Sequence, residues 1–129
     1  MPRALDLVLR DGDVAVCRLA PDAGVPVWAD RGGPLSCVVR SPEELSVVCR
    51  ASDVPDGVRC EGPWAVLSVR GPLEFSMVGI LAGLAGALAD AGISLFAVST
   101  FDTDHLLVAR ADADAAVAAL RAAGHRVAA

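Results

Sequence analysis

One helix-forming segment flanked by two apolar runs constrains the fold of this chain more than any other feature. Its apolar residues recur at helical spacing and form a single stripe: Met77, Ile80, Leu81, Leu84 and Leu88. Ser76 is placed to cap the first turn, and Gly92 stands where a helix commonly ends in a left-handed residue. WAVLSVRG (64–71) before the helix and ISLFAVST (93–100) after it have the composition of buried strands.

The remaining C-terminal residues add a strand, a helix and a strand. HLLVAR (105–110) is predicted as a strand that follows a polar link, and HRVAA (125–129) as a short last strand. The helix between them is marked by acidic residues at its start, larger apolar residues facing inward and a glycine at its end: Asp112, Asp114, Val117, Leu120 and Gly124. The order βαββαβ predicts an α+β, ferredoxin-like fold, an antiparallel sheet with both helices on one face.

The N-terminal half resembles a weaker copy of the C-terminal half. ALDLVLRDGDVAVCRLAP (4–21) predicts two strands around an Asp-Gly turn, and SCVVRSPEELSVVCR (36–50) predicts two more. Residues 20–36 contain three prolines and three glycines, so a long helix cannot propagate there. Shifting residues 39–51 forward by sixty places Val48 on Val108, which suggests a duplication.

A duplication of this length predicts two half-sheets side by side, each covering the open edge of the other. We therefore expect a degenerate N-terminal unit at residues 1–61 and a complete βαββαβ unit at residues 62–129.

Charge and hydropathy exclude several classes of partner. Sixteen Asp and Glu oppose eleven Lys and Arg, with no basic run, so nucleic acid is not an expected partner. Charged residues follow after too few apolar residues at the N-terminus for the apolar core of a signal peptide. The longest uncharged stretch, residues 75–89, is too short and too rich in glycine for a membrane span. We expect a soluble cytoplasmic protein with no membrane partner.

Four cysteines stand singly in strand-like contexts: Cys17, Cys37, Cys49 and Cys60. There is no CxxC motif and no paired Cys and His spacing, so the favoured interpretation is four small buried apolar residues. A disulfide or a metal site are the less favoured alternatives. No metal site and no cofactor are predicted.

Residues 71–108, GPLEFSMVGILAGLAGALADAGISLFAVSTFDTDHLLV, resemble the ACT domain, the amino-acid-binding regulatory module of aspartate kinases and of the cytosolic arginine sensors of animals. With AVCRLAPDAGVPVWA (15–29), ELSVVC (44–49) and DVPDGV (53–58), the resemblance extends to small bacterial stand-alone ACT proteins over nearly the whole chain. It implies that ACT units pair side by side with a ligand at their interface, and that the chain forms a homodimer or a higher homo-oligomer.

The polar link STFDTD between two apolar strands is the candidate site. A free amino acid needs acceptors for its ammonium, which Asp102 and Asp104 offer, and N–H donors for its carboxylate, which the first turn of the helix offers. The resemblance places ligand contacts at matching positions: Glu74, Met77, Val78, Gly79, Ile80, Thr100, Phe101, Thr103 and Asp104. The arginine sensors have a second aromatic residue where this chain has Thr103, which argues against specificity for arginine.

Three functions are consistent with these residues. The favoured one is a non-enzymatic regulatory sensor that binds a free amino acid or a similar small ligand. The second is a protein–protein interaction or oligomerisation module with a degenerate site, in which residues 102–104 form an ordinary turn. The third is a small enzyme with His105 as general base, although the sequence indicates no nucleophile with an oriented partner and we assign no catalytic residue.

Overall fold

The computed structural model describes residues 4–74 and 78–129, and the chain forms two compact units. The helical unit comprises Met1–Arg10 and Ala65–Ala129, and the strand unit comprises Asp11–Trp64. The predicted boundary at residue 61 puts the whole N-terminal segment in one unit. The structure differs because the first ten residues belong with the C-terminal half. The predicted cap Ser76 and the stripe residue Met77 lie outside the described residues.

The described residues contain the following strands and α-helices in chain order: β1 (Asp6–Leu9), β2 (Val14–Leu19), β3 (Cys37–Arg40), β4 (Leu45–Arg50), β5 (Cys60–Val69), α1 (Ile80–Asp90), β6 (Phe96–Ser99), β7 (Asp104–Ala109), α2 (Ala113–Ala122) and β8 (Arg126–Ala128). The predicted order βαββαβ of the C-terminal half is confirmed by β5, α1, β6, β7, α2 and β8. Neither helix is long and apolar enough to cross a membrane, in the part of the chain that the structure describes.

In the helical unit, β1 is inserted into the predicted four-stranded arrangement. It pairs antiparallel with residues 67–69 of β5 and parallel with β8, so the strand order is β8, β1, β5, β7, β6. The β1–β8 pair is parallel, which is a departure from the predicted antiparallel sheet. Alternating apolar residues show that β1 is a strand, but they carry no information on which strands it joins.

Both helices cover the same face of this sheet, as predicted. Alternate residues of β1, β5 and β7 share one core with the inward residues of the helices: Leu7, Leu67, Val69, Leu106, Val108, Leu84, Leu88, Val117 and Leu120. Each fully buried leucine of this core stabilises the unit by roughly 1.5–3 kcal/mol relative to an exposed one. Ile80 and Leu81, at the start of α1, are only partly buried against the core.

The predicted end of α1 is confirmed by its hydrogen bonds. Gly92 has φ +76°, its N–H donates to the carbonyl of Ala89, and the N–H of Ile93 donates to the carbonyl of Leu88. These bonds satisfy carbonyls that the helix leaves without partners at its end. Gly124 ends α2 in the same way, with φ +98°.

In the strand unit, the strand order is β3, β4, β2 and the first half of β5. The Asp-Gly turn at residues 11–12 does not produce a hairpin, because among the described strand pairs β1 and β2 both pair with β5 and not with each other. The N–H of Arg10 donates to the carbonyl of Val66 at 2.9 Å, so the chain continues along β5 after β1. A turn signal alone does not decide which strands pair.

The strand unit, all of whose residues are described, contains no α-helix, as its prolines and glycines predicted. Residues 20–36 contain only the short 3₁₀ helix Val27–Asp30. Ala29 and Trp28 from this helix pack on a small core with residues of β2 and β4: Ala15, Cys17, Leu45, Val47 and Cys49. The unit therefore keeps the strands of the repeat without its helices.

The internal repeat has an offset of 59 residues, not the 60 that the sequence alignment suggested. At 59, the residue range of β3 corresponds to that of β6, the range of β4 to that of β7, and the 3₁₀ helix Ala51–Asp53 to the 3₁₀ helix Arg110–Asp112. The cross-strand pair Arg40–Leu45 then corresponds to Ser99–Asp104. A slip of one residue exchanges the two faces of a strand, so the sequence alignment matched side chains on opposite faces.

Candidate functional site

A cleft of about 330 Å³ lies between the start of α1 and the β6–β7 hairpin of the helical unit. This volume is at the lower end of the range for small-molecule sites, roughly 300–1,000 Å³. Seven of the nine predicted contact residues line the cleft: Glu74, Gly79, Ile80, Thr100, Phe101, Thr103 and Asp104. Val78 is 95% exposed and does not line it, and Met77 lies outside the described residues.

Two of the hydroxyls predicted to contact a ligand are used by the hairpin itself. The loop is closed by the N–H of Thr100, which donates to the carbonyl of Thr103 at 2.8 Å, and the Thr100 hydroxyl donates to the same carbonyl at 3.0 Å. The Thr103 hydroxyl donates to the carbonyl of Val69 at 2.7 Å. The hydroxyl protons of Thr100 and Thr103 are therefore used within the hairpin and its neighbouring strand, as the turn interpretation predicts.

Asp104 is oriented by a strong local hydrogen bond. The Ser99 hydroxyl donates to its Oδ1 at 2.6 Å, across the last pair of the β6–β7 ladder. Within the described residues, the other carboxylate oxygen, Oδ2, accepts no hydrogen bond. Asp104 thus combines a fixed rotamer with an oxygen that can accept from a ligand.

The hairpin is held tightly against the segment that follows β5. The N–H of Leu73 donates to the carbonyl of Asp102 at 2.7 Å. A Cβ atom on Gly71 would lie 2.9 Å from that carbonyl and 3.2 Å from the Cβ of Thr103. Glycine at residue 71 therefore permits the contact that fixes one wall of the cleft.

The opposite wall is the first turn of α1. Gly79 precedes the helix with φ +80°, and its carbonyl accepts the first helical bond, from the N–H of Gly83 at 2.9 Å. The N–H groups of Ile80, Leu81 and Ala82 therefore have no partner inside the helix. All three residues line the cleft, at the positive end of the helix dipole.

The side chains of the cleft carry only negative charge in the part of the chain that the structure describes. Glu74, Asp102 and Asp104 line it, with no Lys, Arg or His among the described lining residues. The cleft therefore combines acidic acceptors on one side with backbone donors on the other. This arrangement suits a ligand that carries both an ammonium and a carboxylate.

Comparison with known proteins identifies the family. Residues 59–122 match the family model of the ACT domain. A structural-genomics protein of Agrobacterium tumefaciens is 35% identical, with a TM-score of 0.90 over 98% of this chain and 93% of that chain. The chain belongs to the ACT-domain family. Residues 12–57 of this ACT protein match a separate family model, described only as an N-terminal domain.

Two more distant structures share the fold. A protein of unknown function from Vibrio cholerae, described as a possible transport protein, is 24% identical, with a TM-score of 0.77 over 93% of this chain and 90% of that chain. The ligand-free regulatory subunit of Thermus thermophilus aspartate kinase is 19% identical, with a TM-score of 0.66 over 95% and 99%. No curated protein sequence matches this ACT protein significantly.

His105 has a hydroxyl partner that sequence analysis missed. Its Nδ1 lies 2.8 Å from the Oγ of Ser68, and the Nε of Arg10 donates to the same Oγ at 3.2 Å. Ser68 is 1% exposed, and neither Ser68 nor His105 lines the cleft. The pair is a buried polar contact of the ACT domain, and the hydroxyl is not accessible for attack on a substrate.

In the strand unit, an arginine stands at the position that corresponds to Ser99 of the cleft. Arg40, which matches Ser99 in the repeat, donates its guanidinium N–H groups to the carbonyls of Pro21 and Ala23, the second at 2.7 Å. These carbonyls belong to the segment that follows β2, where the helical unit has the residues leading into α1. The side chain of Arg40 satisfies the backbone there without a ligand.

Proposed function

We propose that this ACT protein is a cytoplasmic, non-enzymatic regulator that binds a free amino acid in the cleft of its helical unit. The observation that supports the proposal most directly is the composition of the two walls. The first-turn amides of α1, which have no partner inside the helix, line one side of the cleft, and carboxylates of three residues also line it. Family membership supports the same role, because the ACT domain is a regulatory module that binds amino acids.

The two walls divide the recognition of the ligand between them. The ligand carboxylate accepts from the N–H groups of Ile80, Leu81 and Ala82 and gains from the helix dipole. The ligand ammonium donates to Oδ2 of Asp104, with Asp102 and Glu74 adding negative potential. Each charged group thus recovers hydrogen bonds that it loses on leaving water.

The charge of the cleft also limits which amino acid binds. Three carboxylates disfavour the side chains of aspartate and glutamate by like-charge repulsion. The small volume and the half-buried Ile80 and Leu81 favour a compact or flexible side chain that is neutral or positively charged. We expect no acidic amino acid among the ligands.

Homodimerisation would complete the site. β6 has a single described partner, β7, so its outer edge offers unpaired backbone groups. Two large apolar side chains are exposed on this strand or in the hairpin loop that follows it, with Phe96 at 38% and Phe101 at 80%. A second copy that pairs along β6 would cover them, and a ligand that prefers the paired state would shift the chain toward it.

A thermal-shift screen of the purified chain against the twenty amino acids tests the proposal. A ligand at a hundred times its Kd adds about 2.7 kcal/mol of stability. We expect one neutral or basic amino acid to raise Tm by several degrees and to lose that effect in Asp104→Asn, which keeps the acceptor for Ser99 but removes the charge. A screen without any shift, together with a stable dimer in solution, would favour the oligomerisation module instead.

A further inference from the structure

Three of the four cysteines lie on one face of the strand unit. Cys17 pairs directly with Cys60 across β2 and β5, and it also pairs with Val47, which places Cys49 on the same face two residues further along β4. Cys49 and Cys60 are close enough to Cys17 to contribute to the raised pKa of its thiol. Cys37 is on the opposite face, because it pairs with Val48.

The backbone pairing brings Cys17 and Cys60 as close as cross-strand residues come. The N–H of Arg18 donates to the carbonyl of Arg59 at 2.9 Å, so Arg18 and Arg59 form a hydrogen-bonded pair. Bonded and non-bonded pairs alternate in an antiparallel ladder, so Cys17 and Cys60 form a non-bonded pair. Such pairs have a Cα separation of about 4.5 Å, within the range of roughly 4.4–6.8 Å that a disulfide requires.

The two thiols differ sharply in their access to solvent. Cys60 is exposed, whereas Cys17 is 1% exposed. Burial, with the neighbouring Cys49 and Cys60 sulfurs, raises the pKa of Cys17 to about 12. Cys17 therefore stays protonated at neutral pH and is shielded from dissolved oxidants, and an oxidant meets Cys60 first.

We propose that Cys60 is an oxidation site with Cys17 as its resolving thiol, and that hydrogen peroxide converts the pair to a reversible disulfide. The Cys60 thiolate attacks one peroxide oxygen, the O–O bond breaks, hydroxide leaves, and Cys60 becomes a sulfenic acid. The Cys17 sulfur then attacks the Cys60 sulfur. The S–S bond forms as the S–O bond breaks, and the hydroxyl leaves as water with the proton of Cys17.

The disulfide closes a loop from residue 17 to residue 60 within the strand unit. Closing a loop of this size restricts the unfolded chain and stabilises the folded one. We expect Tm of the oxidised chain to rise by about 5–10 °C over the reduced chain. A thiol reductant should reverse the shift completely.

Peroxide treatment of the intact chain tests the inference. Mass spectrometry under non-reducing conditions should show the loss of two hydrogen atoms, and peptide mapping should link Cys17 to Cys60. Cys60→Ser and Cys17→Ala should each abolish this link, and Cys37→Ser, on the opposite face, should leave it intact. Cys60→Ser changes an exposed side chain, so it tests the link even if Cys17→Ala fails to fold.

Two results would overturn the inference. One is a Cys60 that gains only oxygen atoms, with no linked peptide in wild type or in Cys37→Ser. The other is a disulfide that joins two chains or that persists in Cys17→Ala. Neither result bears on amino-acid binding, because the cleft contains no cysteine among its described lining residues.

Discussion

At the scale of single residues, the wall of the cleft depends on the absence of a side chain at Gly71. A Cβ there would meet the carbonyl of Asp102 at 2.9 Å, and this atom is backbone that cannot rotate away. We expect Gly71→Ala to destabilise the fold by about 1–3 kcal/mol in urea unfolding. Gly24→Ala, whose new Cβ has nothing within 4 Å, is the control and should cost less than about 0.5 kcal/mol. Equal costs for the two variants would contradict the close contact.

His105 gives the fold a predictable response to acid. Burial and the Arg10 guanidinium hold its pKa below the ordinary value of 6.5, against the opposing effect of Asp104. The unfolded chain therefore binds the proton more readily, so stability is full above about pH 6.5 and falls as the pH drops toward the lowered pKa. Urea midpoints measured between about pH 5.5 and 7.5 should fall with pH in wild type and fall less in His105→Gln. Parallel profiles would contradict this assignment.

The sequence predicted the chemistry of individual residues better than their partners. Asp104 and Thr100 were expected at the cleft from the polar link and the family resemblance, and the structure places both in its lining. Ser68 was not expected beside His105. In the sequence, Ser68 is only one residue of a predicted buried strand that lies 37 residues earlier in the chain. A contact over that distance follows from strand order, which local patterns do not reveal.

At the scale of elements, α1 has an end that the sequence defines well. Gly92 adopts φ +76°, which costs a residue with a Cβ about 1–2 kcal/mol. We expect Gly92→Ala to destabilise the fold by about 1 kcal/mol. Gly86→Ala, inside the helix and with nothing within 4 Å of the new Cβ, should stabilise it by about 0.5–1 kcal/mol. Chemical unfolding of both variants checks the pair, and a change of the same sign in both would contradict it.

Sequence patterns predicted the strands but did not determine which strands pair with each other. β1 was predicted as a strand, but its place between β5 and β8 was not, because an alternating pattern fits any sheet that buries one face. The repeat offset of 60 that the sequence alignment suggested was wrong for a related reason. Val48 and Val108 look alike at an offset of 60, whereas the strands and the 3₁₀ helices match at 59.

At the scale of the whole molecule, the chain contains a duplicated strand pattern, and the cleft described above lies in one of the two repeats. The cleft of the helical unit is lined by carboxylates and helix amides. Its counterpart in the strand unit holds the Arg40 guanidinium against the carbonyls of Pro21 and Ala23. The duplication predicted a degenerate first unit, and the replacement of its helix by a loop explains why we expect a single site.

Isothermal titration with the amino acid that gives the largest thermal shift tests the central claim most directly. We predict one ligand per chain, with affinity reduced about tenfold to a hundredfold in Asp104→Asn, since a hydrogen bond to a charged group contributes roughly 1.5–3 kcal/mol. Glu43→Gln, at the exposed counterpart of Asp102 in the strand unit, should bind like wild type. Two ligands per chain, or unchanged affinity in Asp104→Asn, would contradict the proposed site.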